Sequence, residues 1–383
     1  MRTGASFALL FVLAQPVLAS TWLVEQDGTG QFSMLQDALD AAAPGDSILV
    51  GPGSYPEQRP FLIDCCEEVP ASIGVAVSDL TIIGESRDSV ILGPSDLGET
   101  LNTGIATRAA EVTGLRVENL TIQNVFEGTY YYLKQAQLNN LRFVGCVTGV
   151  YSLVSSEISI ESCAFEDSPY PSSVAIDVRD GTSLSVANCT ISGFSIGVSA
   201  IDSENISVSG STITSEGYGI NLYGSSARIF TSTISSMSEF GVRVAGGESA
   251  EFSGCRISGD QSAMRMQEAG SVISRYSTYF GGSTAALEFR DQRNADFREN
   301  NYVVGSGLLV QLSGYHPAFG PEYIDMSLSY WGTTDPSEIE GLIWDGRDDH
   351  NLDGWVTYTP LSMSPVTTRV RSVSSLKSLF GGE

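Results

Sequence analysis

The sequence Val-Ala-Asn-Cys-Thr-Ile at residues 186–191 is followed, 22 residues later, by Val-Ser-Gly-Ser-Thr-Ile at residues 208–213. The same arrangement of apolar and small residues returns along most of the chain. Its fourth position is occupied in nine copies by Leu120, Leu141, Cys163, Cys189, Ser211, Ser232, Cys255, Thr278 and Asn300. Because successive copies are 21 to 26 residues apart throughout, the sequence predicts a repeat architecture.

Each repeat carries a second motif, a small residue followed by an apolar one, with copies running from Gly149–Val150 to Gly307–Leu308. The segments between turns of Gly, Ser, Asn and Asp are too short for helices and alternate as strands do. Units of about 22 residues suit one turn of a parallel β-helix, in which strands of successive coils pair about 4.8 Å apart. We therefore predict an all-β parallel β-helix, a solenoid of about 11–12 coils.

Two other repeat folds fit the sequence less well. A leucine-rich repeat needs a recurrent Leu-x-x-Leu-x-Leu frame, which is missing. A β-propeller needs about 40 residues per blade, nearly twice the observed spacing.

Five of the six cysteines fall into two groups, and Cys146 belongs to neither. Cys163, Cys189 and Cys255 share the fourth position of the repeat, which alternation turns inward, so we predict buried free thiols there. Cys65 and Cys66 are adjacent in a segment with Asp64 and Glu67, and a disulfide from one of them to a distant cysteine stays open.

The first 19 residues predict a signal peptide. Arg2 precedes a short apolar run, and Val17-Leu18-Ala19 fits a cleavage site. We expect the β-helix domain over residues 20–361, followed by a flexible tail over residues 362–383. The protein is then exported, to the extracellular space, the cell surface or the periplasm. No later stretch reaches the ~18 apolar residues that a membrane span requires.

The chain is strongly acidic, with a formal net charge of −25. This charge argues against a general attraction to nucleic acid or to an anionic membrane surface. An anionic partner would need a local basic strip or bridging cations.

An N-terminal capping helix is predicted over Ser33–Ala43, which places Leu35 and Leu39 on one face. Ser33 and Gln36 fit a capping box, and Pro44-Gly45 ends the helix. Such a cap would cover the exposed edges of the first coil.

The two ends of this domain resemble a known superfamily. Residues 27–32 (Asp-Gly-Thr-Gly-Gln-Phe), the predicted helix and residues 45–55 (Gly-Asp-Ser-Ile-Leu-Val-Gly-Pro-Gly-Ser-Tyr) resemble the opening of pectin-lyase-like right-handed parallel β-helix proteins. Residues 330–336 (Tyr-Trp-Gly-Thr-Thr-Asp-Pro) and 358–361 resemble the end of an uncharacterised bacterial group within it. The resemblance covers residues 21–361 and implies a right-handed helix, but it leaves the activity open because one fold hosts many functions.

The catalytic signatures of that superfamily do not match this chain residue by residue. Where polygalacturonases place an Asp pair and Gly-His-Gly, this sequence has Ser195-Ile196, Tyr218 and Glu239-Phe240, and its two histidines lie outside the repeat. The downstream signatures of pectinesterases are missing. Pectate lyases have no linear motif that could be tested, so a lyase stays open.

One file of outward residues is the candidate ligand-binding site. The residue after the inward apolar position of each second strand must point outward, and this position predicts a file that contains Asp177, Ser199, Asn221, Arg243, Arg265 and Glu288. Two arginines on adjacent strands repel each other unless acids or an anionic ligand compensate them. We place Asp177 and Glu288 at the ends of the file, away from the arginines. The file is then either a subsite for an anionic sugar or an ordinary solvated polar face.

Two further candidates lie outside that file. The run Tyr130–Tyr132 should turn at least one ring outward, and Tyr131 is the candidate for stacking on a sugar; packing on an adjoining loop is the alternative. A calcium loop is the second candidate, because the pattern Asp-x-Asn-x-Asp-Gly occurs at residues 349–354. Pro360 replaces the usual Glu at its twelfth position, and an acidic turn is the alternative. The predicted ligands are Asp345, Asp349, Asn351 and Asp353.

These observations favour an exported β-helix repeat protein that binds a polysaccharide or cell-surface glycan, or has a structural role at the surface, without catalysis. The alternative is a polysaccharide lyase or glycoside hydrolase acting on an acidic polysaccharide. We expect no cofactor other than calcium at the loop above, and neither a nucleic-acid partner nor a membrane span.

Overall fold

The computed structural model describes residues 19–63, 68–96, 98, 102–108, 112–131, 133–153, 156–247, 249–292, 294–314 and 322–367. The described chain is a parallel β-solenoid of about 12 turns, as predicted. The predicted signal peptide, the Cys65-Cys66 pair and most of the predicted tail lie outside the described residues.

One face of the solenoid, called sheet A here, consists of 14 parallel strands. Its strands are Thr21–Val24, Ser47–Val50, Thr81–Gly84, Leu115–Glu118, Gln135–Asn139, Glu157–Glu161, Ser183–Ala187, Ile206–Ser209, Ala227–Phe230, Ser249–Ser253, Ser271–Arg275, Asn294–Asp296, Glu322–Asp325 and Gly354–Thr357.

The other 22 strands form a second sheet with two faces. The short-strand face contains Gly53–Tyr55, Val90–Leu92, Thr121–Gln123, Arg142–Val144, Ala164–Glu166, Thr233–Ser236, Arg256–Gly259, Thr278–Phe280 and Asn301–Val303. The long-strand face contains Glu68–Val75, Thr103–Thr107, Glu127–Tyr131, Thr148–Ser152, Val174–Arg179, Phe240–Ala245, Ser262–Gln267, Ala285–Arg290, Leu308–Ser313 and Ile343–Trp344. Two long strands, Thr190–Ile201 and Thr212–Tyr223, bend from one face to the other, and Arg59–Leu62 pairs antiparallel with Glu68–Val75.

The interior is filled by apolar residues that stack from coil to coil. On the short-strand face, Ile191, Ile213, Ile234 and Ile257 pair in register and have no exposed surface. On the long-strand face the inward apolar residue of the second motif is buried in the same way. Its last copy is Leu309–Val310 rather than the predicted Gly307–Leu308, because Leu287 pairs with Val310.

The fourth position of the repeat points inward and links the coils by hydrogen bonds. The backbone N–H of Cys189 donates to Ser211 Oγ at 3.1 Å, and that of Ser211 donates to Ser232 Oγ at 3.3 Å. The cysteines of this file are buried free thiols, as predicted. The predicted member Thr278 is wrong: Ser277 occupies the position and accepts from the Cys255 N–H at 3.2 Å. Burial raises the pKa of Cys255 to about 11, so it stays a neutral thiol at physiological pH.

The residue before the fourth position has a left-handed backbone in most coils. Its φ is 55° at Asn188, 57° at Gly210, 46° at Thr231 and 66° at Gly254. Asn and Gly adopt this conformation at the lowest cost, which explains their recurrence at this turn.

The N-terminal helix spans Leu35–Ala41, shorter than predicted. The capping box is also wrong: Met34 is the N-cap without a side-chain hydrogen bond. Gln36 instead donates to the carbonyl oxygen of Gly74 at 3.1 Å and accepts from its N–H at 2.8 Å. The Gln36 side chain therefore attaches the helix to the strand that contains Gly74. It satisfies backbone groups of that strand rather than those of the helix end.

The C-terminal end carries a second short helix, Pro336–Glu340, capped by Asp335, which accepts from the Ser337 N–H at 2.9 Å. Trp331 lies before it and is fully buried against Tyr302, with ring centroids 4.9 Å apart. Within the described residues, no helix has the length and apolar character needed to cross a membrane.

Candidate functional site

The predicted outward file exists as a continuous column on the long-strand face, called the polar strip here. Each member pairs in register with the next. The strip consists of Asp177, Ser199, Asn221, Arg243, Arg265, Glu288 and Gln311. The prediction that these residues line one face of one sheet is therefore correct in register.

The position of Glu288 corrects the sequence interpretation. Glu288 lies directly beside Arg265, not away from it, because the two residues are strand partners. Arg265 donates to Glu288 Oε2 through Nε at 2.9 Å and Nη2 at 2.7 Å, and Ser262 Oγ donates to Oε1. Glu288 is only 4% exposed, so its charge is compensated inside the protein. Arg265 also lies 3.9 Å from the ring centre of Phe240, in cation–π geometry.

Arg243 differs from its neighbour Arg265 in its partners. Its Nη1 donates to Asn221 Oδ1 at 3.1 Å, a neutral acceptor. Within the described part of the chain, no carboxylate oxygen lies within 4.0 Å of its guanidinium nitrogens. Arg243 is half-buried and faces outward, so its charge can be neutralised by a ligand.

Sequence reasoning missed an aromatic pair beside these arginines. The rings of Tyr218 and Phe240 stack with centroids 5.9 Å apart. Burial, together with the hydrogen bond that its hydroxyl donates to Glu239, raises the pKa of Tyr218, so the hydroxyl stays protonated and its oxygen can accept a further hydrogen bond. Both aromatic residues immediately precede the glycine of the second motif, at Gly219 and Gly241. A search for aromatic residues at that position would have found them.

Asp177 lies at the other end of the strip and is also less exposed than predicted. It is 5% exposed, and its Oδ2 accepts from Arg179 Nη2 at 2.8 Å and Nε at 3.2 Å. Its strand neighbour in the preceding coil is Tyr151, whose ring lies 5.7 Å from the Arg179 guanidinium.

Tyr131 is not a ligand-binding residue, which corrects the prediction. Its strand partner Ser152 and the next residue in the column, Val178, both point into the core, and Tyr131 has no exposed surface. Tyr130 is the outward residue of the pair and lies on the same column as the polar strip, with its ring 5.3 Å from that of Tyr151.

The predicted calcium ligands do not converge on a metal site. Asp345 is fully buried, and its carboxylate accepts from the side chain of Arg347 and from the Val356 N–H at 3.1 Å. Asp349 Oδ1 accepts from Asn351. Because Arg347 supplies the positive charge, the donor set does not fit a calcium ion. In the described residues no group of three or more His, Cys, Asp or Glu side chains could hold a metal ion, and Asp353 joins no such group.

Comparison with known proteins identifies the class. The sequence matches the family of the right-handed β-helix region over residues 103–214 and 196–316, which together span more than half of the chain. The chain belongs to this family, which also confirms the predicted pectin-lyase-like superfamily. No protein with a curated description matches the sequence.

Solved structures with a similar fold are named as polysaccharide-acting enzymes. The catalytic domain of a GH87 α-1,3-glucanase, solved with tetrasaccharides, is 12% identical, with a TM-score of 0.54 over 90% of this chain and 69% of that one. The tailspike protein gp49 of Acinetobacter baumannii bacteriophage Fri1, a capsular polysaccharide depolymerase, is 11% identical, with a TM-score of 0.45 over 94% and 64%. The pectate lyase Pel9A is 12% identical, with a TM-score of 0.32 over 93% and 82%. At these identities the likeness concerns the fold alone.

Proposed function

We propose that this is an exported β-helix protein that binds an acidic polysaccharide or cell-surface glycan along the polar strip, without cleaving it. The observation that carries the proposal is Arg243. It is a half-buried outward arginine whose hydrogen-bond partner is an amide and which lacks an ion pair among the described residues. The chain has a net charge of −25. Even in such an acidic chain, an arginine without an ion pair can form a charge-assisted hydrogen bond with an anionic ligand.

The surroundings of Arg243 suit a sugar. Asn221 offers an amide, and Tyr218 offers a hydroxyl beside the ring of Phe240. Polar groups that fix orientation next to an aromatic surface are typical of small-molecule and sugar sites. The strip is linear and repeats at the strand spacing, so it can follow a linear polymer.

The ion pair between Arg265 and Glu288 reduces the number of sugar carboxylates that we expect the strip to bind. Two adjacent free arginines would hold two successive carboxylates, but Arg265 is already neutralised. We therefore expect one sugar carboxylate at Arg243, bound through the planar guanidinium fork.

The spacing of the strip's carboxylates supports binding rather than hydrolysis. Asp177 and Glu288 are five strand steps apart, or roughly 24 Å along the axis. Glycosidases of the usual two-carboxylate type hold their carboxyl groups about 5–10 Å apart. Each of these two acids is also paired with an arginine.

Glycan arrays followed by calorimetry on the full chain test this proposal. Arg243→Ala should weaken binding of an acidic glycan at least roughly tenfold, because a charge-assisted contact contributes about 1.5–3 kcal/mol. Arg228→Ala is the matched control, since Arg228 is 68% exposed and lies on sheet A, a different sheet from that of the strip. Binding that is absent in the wild type, or unchanged in Arg243→Ala, contradicts the proposal and leaves the strip as a solvated face.

The same preparations decide between binding and catalysis. Incubation with the bound polysaccharide, with and without calcium, should release neither new reducing ends nor unsaturated products. Either product would show the alternative, a hydrolase or a lyase acting on an acidic polysaccharide.

A further inference from the structure

Between Leu120 and Asn300, one coil of the repeat is longer than its neighbours. Cys163 and Cys189 are 26 residues apart, whereas the other observed intervals of this file, from Leu120 to Asn300, are 21 to 23 residues. The additional residues lie between the strands Ala164–Glu166 and Val174–Arg179. In the next coil one continuous strand, Thr190–Ile201, makes the same connection.

The insertion lies at the margin of the long-strand face. It comprises residues 167–173, Asp-Ser-Pro-Tyr-Pro-Ser-Ser, and Tyr170 on it is 40% exposed. It leads directly into the strand that carries Asp177. An irregular loop on a regular scaffold is a frequent location for binding residues.

Asp177 provides a second, independent observation. Its side chain is 7% exposed, and its Oδ2 binds Arg179. Its other oxygen, Oδ1, is buried and has no hydrogen-bond partner among the described residues. A buried acceptor without a donor is unfavourable, so a ligand group that reaches Oδ1 and donates to it would be bound preferentially.

The chemistry around Oδ1 selects the kind of ligand. A metal ion is disfavoured, because the Arg179 guanidinium already shares this carboxylate. A sugar hydroxyl is favoured, because it donates to Oδ1 while an adjacent sugar oxygen accepts from Arg179, which is 43% exposed.

We infer that Asp177 and Arg179, beside the insertion at residues 167–173, form a second sugar subsite that binds a pair of neighbouring sugar oxygens. This inference rests on the proposed function, because it places the subsite on the same glycan that Arg243 holds. Asp177 and Arg243 are three strand steps apart, or about 14 Å. Ser199 and Asn221 lie between them on the strip. A glycan that reaches both subsites must therefore be longer than one that occupies the Arg243 subsite alone.

The experiment uses size-fractionated oligosaccharides of the glycan that the wild-type protein binds, measured by calorimetry on the full chain. Wild-type affinity should rise with length and then level off once both subsites are spanned. Asp177→Asn keeps the shape of the side chain but, with the amide oxygen facing Arg179, replaces the acceptor Oδ1 with an N–H donor. This variant should bind long oligosaccharides roughly tenfold more weakly than the wild type does, because the second subsite no longer contributes. It should bind short oligosaccharides with wild-type affinity. Asp88→Asn, an exposed acid in an N-terminal coil, is the matched control.

The outcomes separate the two proposals. If the wild type binds no glycan, the proposed function fails. If binding depends on Arg243 but Asp177→Asn equals the wild type at every length, only the second subsite is overturned. Equal weakening of short and long oligosaccharides also overturns it, because Asp177 would then act within the Arg243 subsite. An unchanged near-ultraviolet spectrum and melting temperature confirm that the variant is folded.

Discussion

The stacked isoleucines inside the short-strand face and the polar strip outside the long-strand face are built on the same spacing, yet their compositions differ. Ile191, Ile213, Ile234 and Ile257 repeat one residue in four coils, and all are buried. The strip changes in almost every coil, from Asp177 through Asn221 to Glu288. Inside, close packing restricts this column to large apolar or aromatic side chains, because Phe165 precedes the four isoleucines and Tyr279 follows them. Outside, packing sets no such limit, so the choice of residue reflects what the surface contacts.

The largest effect should come from breaking the interior stack. Ile213→Ala removes a fully buried side chain whose neighbours in the coils above and below cannot close the gap, so we expect a loss of about 2–5 kcal/mol in unfolding free energy. Urea unfolding followed by circular dichroism measures it. Thr212→Ala, the exposed residue beside it, should change stability by no more than about 0.5 kcal/mol. Equal effects of the two variants would contradict the inward register.

The two adjacent arginines of the strip should differ in the same measurement. Arg265→Ala leaves the buried Glu288 without its cation, and we expect a loss of about 1–3 kcal/mol. Arg243→Ala breaks one hydrogen bond to an amide and should stay within about 0.5 kcal/mol. The first arginine would then be structural and the second available to a ligand. If Arg243→Ala is the more destabilising variant, the assignment of Arg265 as structural and Arg243 as available to a ligand is wrong.

The interior could be predicted from the sequence because each coil repeats it. Packing constrains the buried positions in every coil, so several copies average out local irregularities. The predicted register is wrong by one residue at Thr278. Ser277 and Thr278 both carry a hydroxyl group, and both give a repeat interval within the observed range. Similarly, alternation could not set the phase of Tyr130–Tyr132, since the three residues are identical.

The contacts of the site could not be predicted in the same way. The order of the strip follows from the register, but whether Glu288 reaches Arg265 depends on the directions of two long side chains. The spacing at residues 349–354 matches a calcium pattern, yet the nearby carboxylate of Asp345, also a predicted ligand, already binds Arg347. Sequence spacing predicts which backbone positions are neighbours. It does not predict which charged side chains are already paired within the protein.

The smallest effect concerns the turn residues that connect the interior to the surface. Thr231 has a φ of 46°, whereas the equivalent Asn188, with a φ of 55°, has a side chain that tolerates the left-handed region. Thr231→Asn should therefore stabilise the protein by about 0.5–1 kcal/mol, and Asn188→Thr should destabilise it by a similar amount. Both changes keep the backbone hydrogen bonds of the turn, such as that from the Thr231 N–H to Ser253 at 2.9 Å. Urea midpoints that move in opposite directions would show that backbone strain selects this residue. Midpoints that do not move would contradict this explanation. They would show that the fold does not constrain the residue type at this turn, as it does not on the polar strip.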